Sequence, residues 1–278
     1  MSINPYSEKG HFYCISYFYN NLDLIKKLNK SNYIVYNKSS QKLPAEINNI
    51  SIKNVGFNLY SYLEFIIKNY ENLPKTIVFC KNNIVPRHLD KNTFEKLIQR
   101  EVFTHLRQSH IKVKTPISIK LSNNSFNEIN SNWYIYSFDR KYFADFNEFY
   151  EFIFKDVNKP HYLNFSPGGN YLVRRENILL RSKNFYKNLK LFISHTKLSG
   201  ESHFLERSLD VIWNSDIESS EIMDKIIDKE KISYLIKKCQ YKKSRELKFY
   251  VLIRKAKQKI IFKLGSIYFK ILESIIYN

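Results

Sequence analysis

Residues 59–79 read LYSYLEFIIKNYENLPKTIVF and contain the clearest local signals of the fold class. Its apolar residues recur at the spacing of one helix face, which predicts a helix over 59–69 that ends before Pro74. The β-branched and aromatic run at 76–79 predicts a buried strand directly afterwards. A helix that leads into such a strand is the building unit of a largely parallel α/β sheet.

The sequence on either side repeats this alternation of strands and helices. Thr93 is the predicted N-cap of the next helix, and an Asn- and Ser-rich loop is predicted over 122–132. Beyond a break with proline and glycine at 159–170, the pattern becomes mainly helical. The other predicted strands are 12–17, 33–36, 50–53, 117–121 and 133–138, and the other predicted helices are 22–28, 93–106, 143–154, 175–180, 185–194, 204–213 and two longer ones between 220 and 278.

These elements predict an α/β fold in which a mostly parallel sheet is flanked by helices. We expect one domain over residues 1–216 and a basic helical extension over 217–278. The 278 residues are enough to bury a sizeable core, and the 44% of hydrophobic residues indicates a globular protein. Fold class, however, does not name a function.

The three cysteines are odd in number and never arranged as C-x-x-C, which favours a reducing cytoplasm over a disulfide framework or a thiolate metal site. The first ten residues are polar and predict no secretory signal. No window approaches the ~20 apolar residues of a transmembrane helix. We therefore expect a cytoplasmic protein whose contact with a membrane is peripheral.

Candidate ligand-binding residues follow from the predicted sheet. The sequence contains neither G-x-G-x-x-G nor G-x-x-x-x-G-K-[ST], so side chains at strand ends must hold any nucleotide. Ligands of open α/β sheets bind at the carboxyl ends of the strands. This rule nominates Asn37 after the second strand and Lys81, Asn82 and Asn83 after the strand at 76–80.

Three collinear segments resemble a poorly characterised glycosyltransferase-like family. They are 54–74 with its pattern N-x-G, S-Y-L and L-P, then 169–178 with Phe185-Tyr186, and 203–207 with Trp213. The resemblance covers roughly residues 10–216. The Arg-Glu pair that usually follows the glycine in that family is Phe57-Asn58 here, which removes any role of those two side chains.

The resemblance implies a nucleotide-diphospho-sugar transferase (GT-A-like) sheet and a role in surface polysaccharide synthesis, such as that of a capsule. The expected donor is a nucleotide sugar, and the expected acceptor is a glycan or a lipid-linked molecule. Enzymes of this class commonly hold Mg²⁺ or Mn²⁺ with a D-x-D motif at a strand end. No D-x-D occurs here, so no metal ligand is assigned, although a divalent cation stays possible as a cofactor.

At the corresponding strand end we expect Lys81, helped by Arg174 or Arg175, to neutralise the departing diphosphate. The alternative is that Lys81 is a solvated surface lysine. Gly169 and Asn170 are expected to let the backbone approach the donor closely, but a plain turn explains them equally well.

Acid–base candidates lie on the predicted helix over 204–213. His203, Glu206 and Asp210 share one side of that helix with Arg207, since they are three, four and seven residues apart. We favour Glu206 as the base for the acceptor hydroxyl, because it belongs to the family-like Glu-Arg pair. The alternative is that Glu206 and Arg207 form structural ion pairs.

The net charge of +19 is concentrated at the C-terminal end, where residues 225–278 contain fifteen Lys or Arg and four acids. Apolar residues between 253 and 275 form one stripe of a helix, with lysines on the other side. We expect residues 245–278 to hold the protein on the anionic inner face of the membrane. The stripe could instead pack on the protein's own core.

Nucleic acid is the competing partner, given the charge and the 16% of aromatic residues. No recognisable DNA- or RNA-binding motif is present. The alternative function is therefore a non-catalytic protein that binds nucleic acid or another anionic polymer.

Overall fold

The computed structural model describes residues 6, 8–18, 21–107, 118–120, 126–132, 134, 135 and 137–246, with the single positions 256, 260, 263 and 264. The strands within these residues are β1 (Phe12–Tyr17), β2 (Tyr33–Asn37), β3 (Asn49–Ser51), β4 (Thr76–Lys81), β5 (Thr104–His105), β6 (Ser118–Lys120), β7 (Phe126–Ile129), β8 (Tyr162–Asn164) and β9 (Tyr171–Arg174). The helices are α1 (Leu59–Asn69), α2 (Ile84–Arg87), α3 (Lys91–Leu97), α4 (Phe146–Ile153), α5 (Arg175–Leu179), α6 (Lys183–Ile193), α7 (Gly200–Asn214) and α8 (Lys229–Arg245).

The predicted α/β fold with a mostly parallel sheet is confirmed. The main sheet has the order β3-β2-β1-β4-β9-β5, in which β1 to β4 are parallel to one another and β9 runs antiparallel to β4 and β5. A second, antiparallel sheet has the order β6-β7-β8. The predictions for β1 and α1 agree with the structure at both ends.

The main sheet is covered on both faces. On one face α1, α6 and α7 pack against residues such as Phe79, whose ring stacks on Trp213 at 5.3 Å between centroids. The other face is covered by the segments around Ile25 and Phe94. Because alternate residues of β4 enter the two cores, this strand is buried along its whole length.

The helix predicted over 93–106 is wrong in extent. It begins at Lys91, because the carboxylate of Asp90, not Thr93, caps it by accepting the Thr93 backbone N–H at 2.8 Å. It ends at Leu97, and residues 104 and 105 form a strand because they pair with β9. The helix predicted over 22–28 is reduced to one 3₁₀ turn at Ile25–Lys27.

The strand predicted over 133–138 is also wrong, since the described residues there form turns. The strand lies earlier, at β7, inside the predicted loop over 122–132. The reason is a tertiary contact: the buried ring of Tyr134 covers the guanidinium of Arg207 at 4.0 Å. That contact requires Tyr134 to turn inward toward α7.

The chain after 216 packs on the α/β body as far as residue 246. Leu235 and Cys239 of α8 are buried, and Arg140 and Glu246 form an ion pair at 3.1 Å. The domain boundary at 216 and 217 stays a prediction. Almost all of the basic helix predicted over 245–278 lies outside the described residues. Among the residues described, no helix has both the length and the apolar character needed to cross a membrane.

Candidate functional site

A cleft of about 290 Å³ opens at the carboxyl ends of β1, β2 and β4. It lies where the strand order reverses, with β2 and β3 on one side of β1 and β4 on the other. This is the position at which open α/β sheets bind ligands. Its charged and amide lining includes Lys38, Lys81, Asn82, Asn83, Arg87 and Lys197.

Lys81 and Lys38 are buried cations of this cleft. The Nζ of Lys81 lies 4.0 Å from the centroid of the Phe57 ring, and the Lys81 backbone N–H donates to the Asn170 side chain at 3.2 Å. Burial lowers the pKa of Lys81 to about 8, while the nearby charge of Glu206 raises it and that of Arg87 lowers it. Lys81 is thus a positive group that the fold itself stabilises poorly.

Lys38 holds the loop that covers Lys81. Its ammonium donates to the backbone carbonyls of Val55 and Phe57. Burial lowers the pKa of Lys38 to about 7. Phe57, whose carbonyl Lys38 holds, contributes a ring that packs on Lys81.

The predicted asparagines divide into two groups. Asn82 and Asn83 line the cleft, as expected from the strand-end rule. Asn37 instead fixes the turn after β2, because its side chain accepts the backbone N–H of Ser39 at 2.9 Å and donates to the carbonyl of Gln41 at 2.7 Å.

Gly169 and Asn170 belong to a structural turn. Asn170 is fully buried, where its side chain joins the turn to β4. The neighbouring Gly168 has φ +86°, and its N–H donates to Glu206 Oε1 at 2.7 Å. Asn58 donates to the Gly168 carbonyl at 2.6 Å. The turn thus fixes α7 relative to the cleft, which agrees with the plain-turn alternative.

Glu206 is the predicted catalytic residue that lies beside the cleft. Burial raises the pKa of its carboxyl, although Arg207, Lys81 and the Gly168 N–H oppose that shift. Arg207 Nη1 lies 3.5 Å from Glu206 Oε2. A carboxylate whose burial weakens its acidity, close to a cation-lined cleft, can accept a proton.

The other side chains of the predicted set on α7 have separate environments. Arg207 forms a two-pronged ion pair with Glu128, at 2.8 and 3.1 Å. His203 packs between the rings of Tyr134 and Phe138, and burial lowers its pKa to about 3. These contacts give His203 and Arg207 structural roles.

Asp210 is also removed from the cleft. Its carboxylate lies 2.7 Å from His105 Nε2 and accepts from Asn164 Nδ2 at 3.1 Å. The helical spacing places His203, Glu206 and Asp210 along one helix, but Asp210 is bound to His105, whereas the charge of Lys81 acts on both Glu206 and His203.

Arg174 is not at the cleft. It pairs with Thr76 at the first residue of β4, whereas Lys81 is the last residue of that strand. The length of the strand separates these positions by about 16 Å. Arg174 instead forms an ion pair with Glu176 at 3.0 Å, so the structure does not bring it together with Lys81.

A comparison with protein families identifies the family of the chain. Residues 19–226 match the family described as "Protein of unknown function (DUF3431)". The chain belongs to the DUF3431 family. No curated protein and no solved structure matches it. The part shared with DUF3431 contains every cleft residue named above.

Sequence reasoning missed three cations that line the cleft in this DUF3431 protein, namely Lys38, Arg87 and Lys197. Arg87 lies at the end of α2, Lys197 lies just before α7, and both line the cleft. His88 contacts the turn at Gly168, and burial together with the charges of Lys81 and Arg87 lowers its pKa to about 3. A search of the loops after each strand for cations would have found Arg87.

The cleft does not suit a divalent cation. Mg²⁺ and Mn²⁺ prefer carboxylate and other oxygen ligands. The described lining contains amides and four cationic side chains but no carboxylate. Across the described residues, no three or more His, Cys, Asp or Glu side chains are grouped to hold a metal ion.

Proposed function

We propose that this protein transfers a sugar from a nucleotide-activated donor to a hydroxyl of a glycan or lipid-linked acceptor. The proposal includes a GT-A-like role for the sheet and a place in surface polysaccharide synthesis at the inner face of the membrane. The observation that carries it is the cation-lined cleft at the carboxyl ends of β1, β2 and β4. A phosphate-bearing ligand has the charge that such a cleft attracts.

In the proposed reaction the acceptor oxygen attacks the anomeric carbon of the donor. The bond from that carbon to the phosphate oxygen breaks, and the nucleoside diphosphate leaves with the electron pair. Lys81 stabilises the charge that develops on this leaving group. Glu206 takes the proton of the acceptor hydroxyl, since its raised pKa makes it a stronger base than an exposed carboxylate.

The first experiment is a thermal-shift screen of nucleotides and nucleotide sugars. A donor that binds the native state raises the melting temperature by mass action. The donor found in this way is then tested for transfer to glycan and lipid-linked acceptors. If no member of the panel binds, and mixed oligonucleotides bind in a gel-shift assay, the alternative of a non-catalytic protein for anionic polymers replaces the enzyme.

The second experiment separates chemistry from binding through Glu206→Gln. We expect the transfer rate to fall by about 10²-fold or more, because the acceptor hydroxyl loses its base. Donor affinity should change little, since the amide keeps the shape of the side chain. Glu230→Gln, on α8, is the control with the same chemical change outside the cleft. Normal turnover by Glu206→Gln would assign Glu206 to the structural ion pairs instead.

A membrane location is supported by the outer face of α8. Tyr234, Lys237 and Tyr241 are exposed there, and their spacing places them on one side of the helix. Tyrosine and lysine together suit the headgroup region of an anionic bilayer. A lipid-linked acceptor would be held at such a surface.

A further inference from the structure

We propose that the cleft binds the diphosphate of its donor through Lys81, Arg87 and Lys197 and without a divalent metal ion. This inference rests on the proposed function, because it specifies how the same cleft recognises the leaving group. It differs from the expectation for D-x-D enzymes, in which a metal ion neutralises the diphosphate.

The ion pairing of these three residues supports the proposal. In the part of the chain that the structure describes, no carboxylate lies within salt-bridge distance of the Lys81, Arg87 or Lys197 nitrogens. Elsewhere buried cations have partners within the fold: Arg207 and Arg140 pair with carboxylates, and Arg181 donates to backbone carbonyls. The cations of the cleft are thus available to an anion from outside.

The fold holds Lys81 in a fixed position. Its side chain lies on the Phe57 ring, and its backbone N–H is bound by Asn170. Phe57 is itself held by the Lys38 ammonium through its carbonyl oxygen. A cation fixed in this way stabilises a developing negative charge without reorganising, which is how a bound metal ion would act.

The positive charges of the cleft would repel a metal ion. A divalent cation in the cleft would meet the positive charges of Lys81, Arg87 and Lys197, and the side-chain oxygens of the described lining are those of asparagines and of Ser16, none of them a carboxylate. A diphosphate meets the opposite situation, since each of its phosphate groups gains a cationic partner. The charge pattern therefore selects the anion and disfavours the metal.

Binding of the anion should be coupled to protonation of Lys81. The groups that face Lys81 are Glu206 on α7, Arg87 on α2 and the Phe57 ring, and Lys81 also acts electrostatically on His88 and on His203 of α7. An added negative charge favours the protonated amine, so affinity should fall as pH rises above about 8. This coupling gives a readout that does not depend on catalysis.

The test is calorimetric titration of the full chain with inorganic pyrophosphate and with nucleoside diphosphates, in excess EDTA and separately in excess Mg²⁺. We expect binding in EDTA and no gain of affinity with Mg²⁺. Lys81→Met should weaken binding about tenfold or more, and Arg87→Met and Lys197→Met should weaken it less, since both are exposed. Lys237→Met on α8 is the matched control and should bind normally.

Lys81→Arg guards against misfolding, because it keeps the charge and should keep most of the affinity if Lys81 binds the anion. Binding that requires Mg²⁺ or Mn²⁺, or equal affinity of Lys81→Met and the unmodified protein, would overturn the inference. Sugar transfer that depends on a metal would leave the proposed function standing and remove this inference. Metal-independent pyrophosphate binding without transfer from any donor would do the reverse.

Discussion

Arg207 and Lys81, two cations near Glu206, have opposite environments in the fold. Arg207 is buried against the carboxylate of Glu128 and between the rings of Tyr134 and Phe165. Lys81 is also buried, but its neighbours are the Phe57 ring and the more distant carboxylate of Glu206. The first cation is satisfied by the protein and serves stability, whereas the second is left for a ligand.

The largest effect is expected from breaking the satisfied pair. Arg207→Met leaves the Glu128 carboxylate buried without its partner, which should lower the free energy of unfolding by about 3–5 kcal/mol. Urea unfolding at neutral pH measures this change. The double variant Arg207→Met with Glu128→Leu should regain part of the loss, because Glu128 no longer leaves a buried charge unpaired, whereas Glu206 still lacks Arg207 at 3.5 Å. A single variant as stable as the unmodified protein would show that Arg207 and Lys81 do not differ as argued.

A second prediction concerns the turn that joins Glu206 to the cleft. Gly168 has φ +86°, and a Cβ there would meet the Asn170 side chain at 2.7 Å and the His88 ring at 2.9 Å. Gly168→Ala should therefore cost about 2–3 kcal/mol from backbone strain and contact together. Gly10→Ala has a similar φ of +62° but open space around the Cβ, so it should cost only about 1 kcal/mol. Equal losses in urea unfolding would mean that the close contact is relieved at no cost.

The third prediction uses the unsatisfied cation. Because the pKa of Lys81 is lowered from 10.5 to about 8 in the folded state, the unfolded chain binds its proton more tightly. Stability linked to Lys81 should therefore rise as pH increases from about 8 toward 10.5. Lys81→Met removes the buried charge and should increase the free energy of unfolding at pH 7 by about 1–2 kcal/mol. The sign is opposite to that of Arg207→Met.

Unfolding curves at several pH values check this directly. The unmodified protein should gain stability between pH 8 and 10.5, and Lys81→Met should lose that part of the dependence. A Lys81→Met protein that is less stable at pH 7 would indicate that the lysine is satisfied inside the fold.

Local patterns predicted the sheet strands β1, β2 and β4 and helix α1, since each depends on its own apolar periodicity. Lys81, Asn82 and Asn83 were found because the end of a buried strand can be read from sequence. Strand direction cannot be read in this way. Arg174 was misplaced because β9 runs antiparallel to β4, which puts its last residue at the far end of the sheet.

Long-range contacts account for the other differences. The pairing of β5 with β9 brings His105 next to Asp210. Asp210 is therefore bound to His105 and has a different environment from Glu206, although the two acids are only about one turn apart on α7. Arg87 and Lys197 reach the cleft from segments far apart in sequence. No periodicity of either segment indicates that they meet. The charge composition of the cleft is therefore a property of the fold.

The smallest predicted effect applies the same comparison to α8. Lys238 is paired with Glu148 at 2.9 Å, whereas its neighbour Lys237 is exposed beside Tyr234 and Tyr241. If the outer face of α8 lies on an anionic bilayer, Lys237→Gln should weaken binding by about 1 kcal/mol, or about fivefold. Flotation with vesicles containing phosphatidylserine at low salt measures this change.

Lys238→Gln is the matched control for that experiment, because it removes one positive charge from the same helix and leaves Glu148 paired with Lys242. It should change vesicle binding less than Lys237→Gln does, since a lysine already paired with Glu148 has less charge to offer the lipid. Equal losses in the two variants would mean that only net charge matters, and that the outer face has no special role. No loss of vesicle binding in either variant would mean that α8 does not form the membrane contact. On α8 as in the cleft, we therefore expect substitution of the lysine without a carboxylate partner to weaken binding to a partner molecule more than substitution of a paired lysine does.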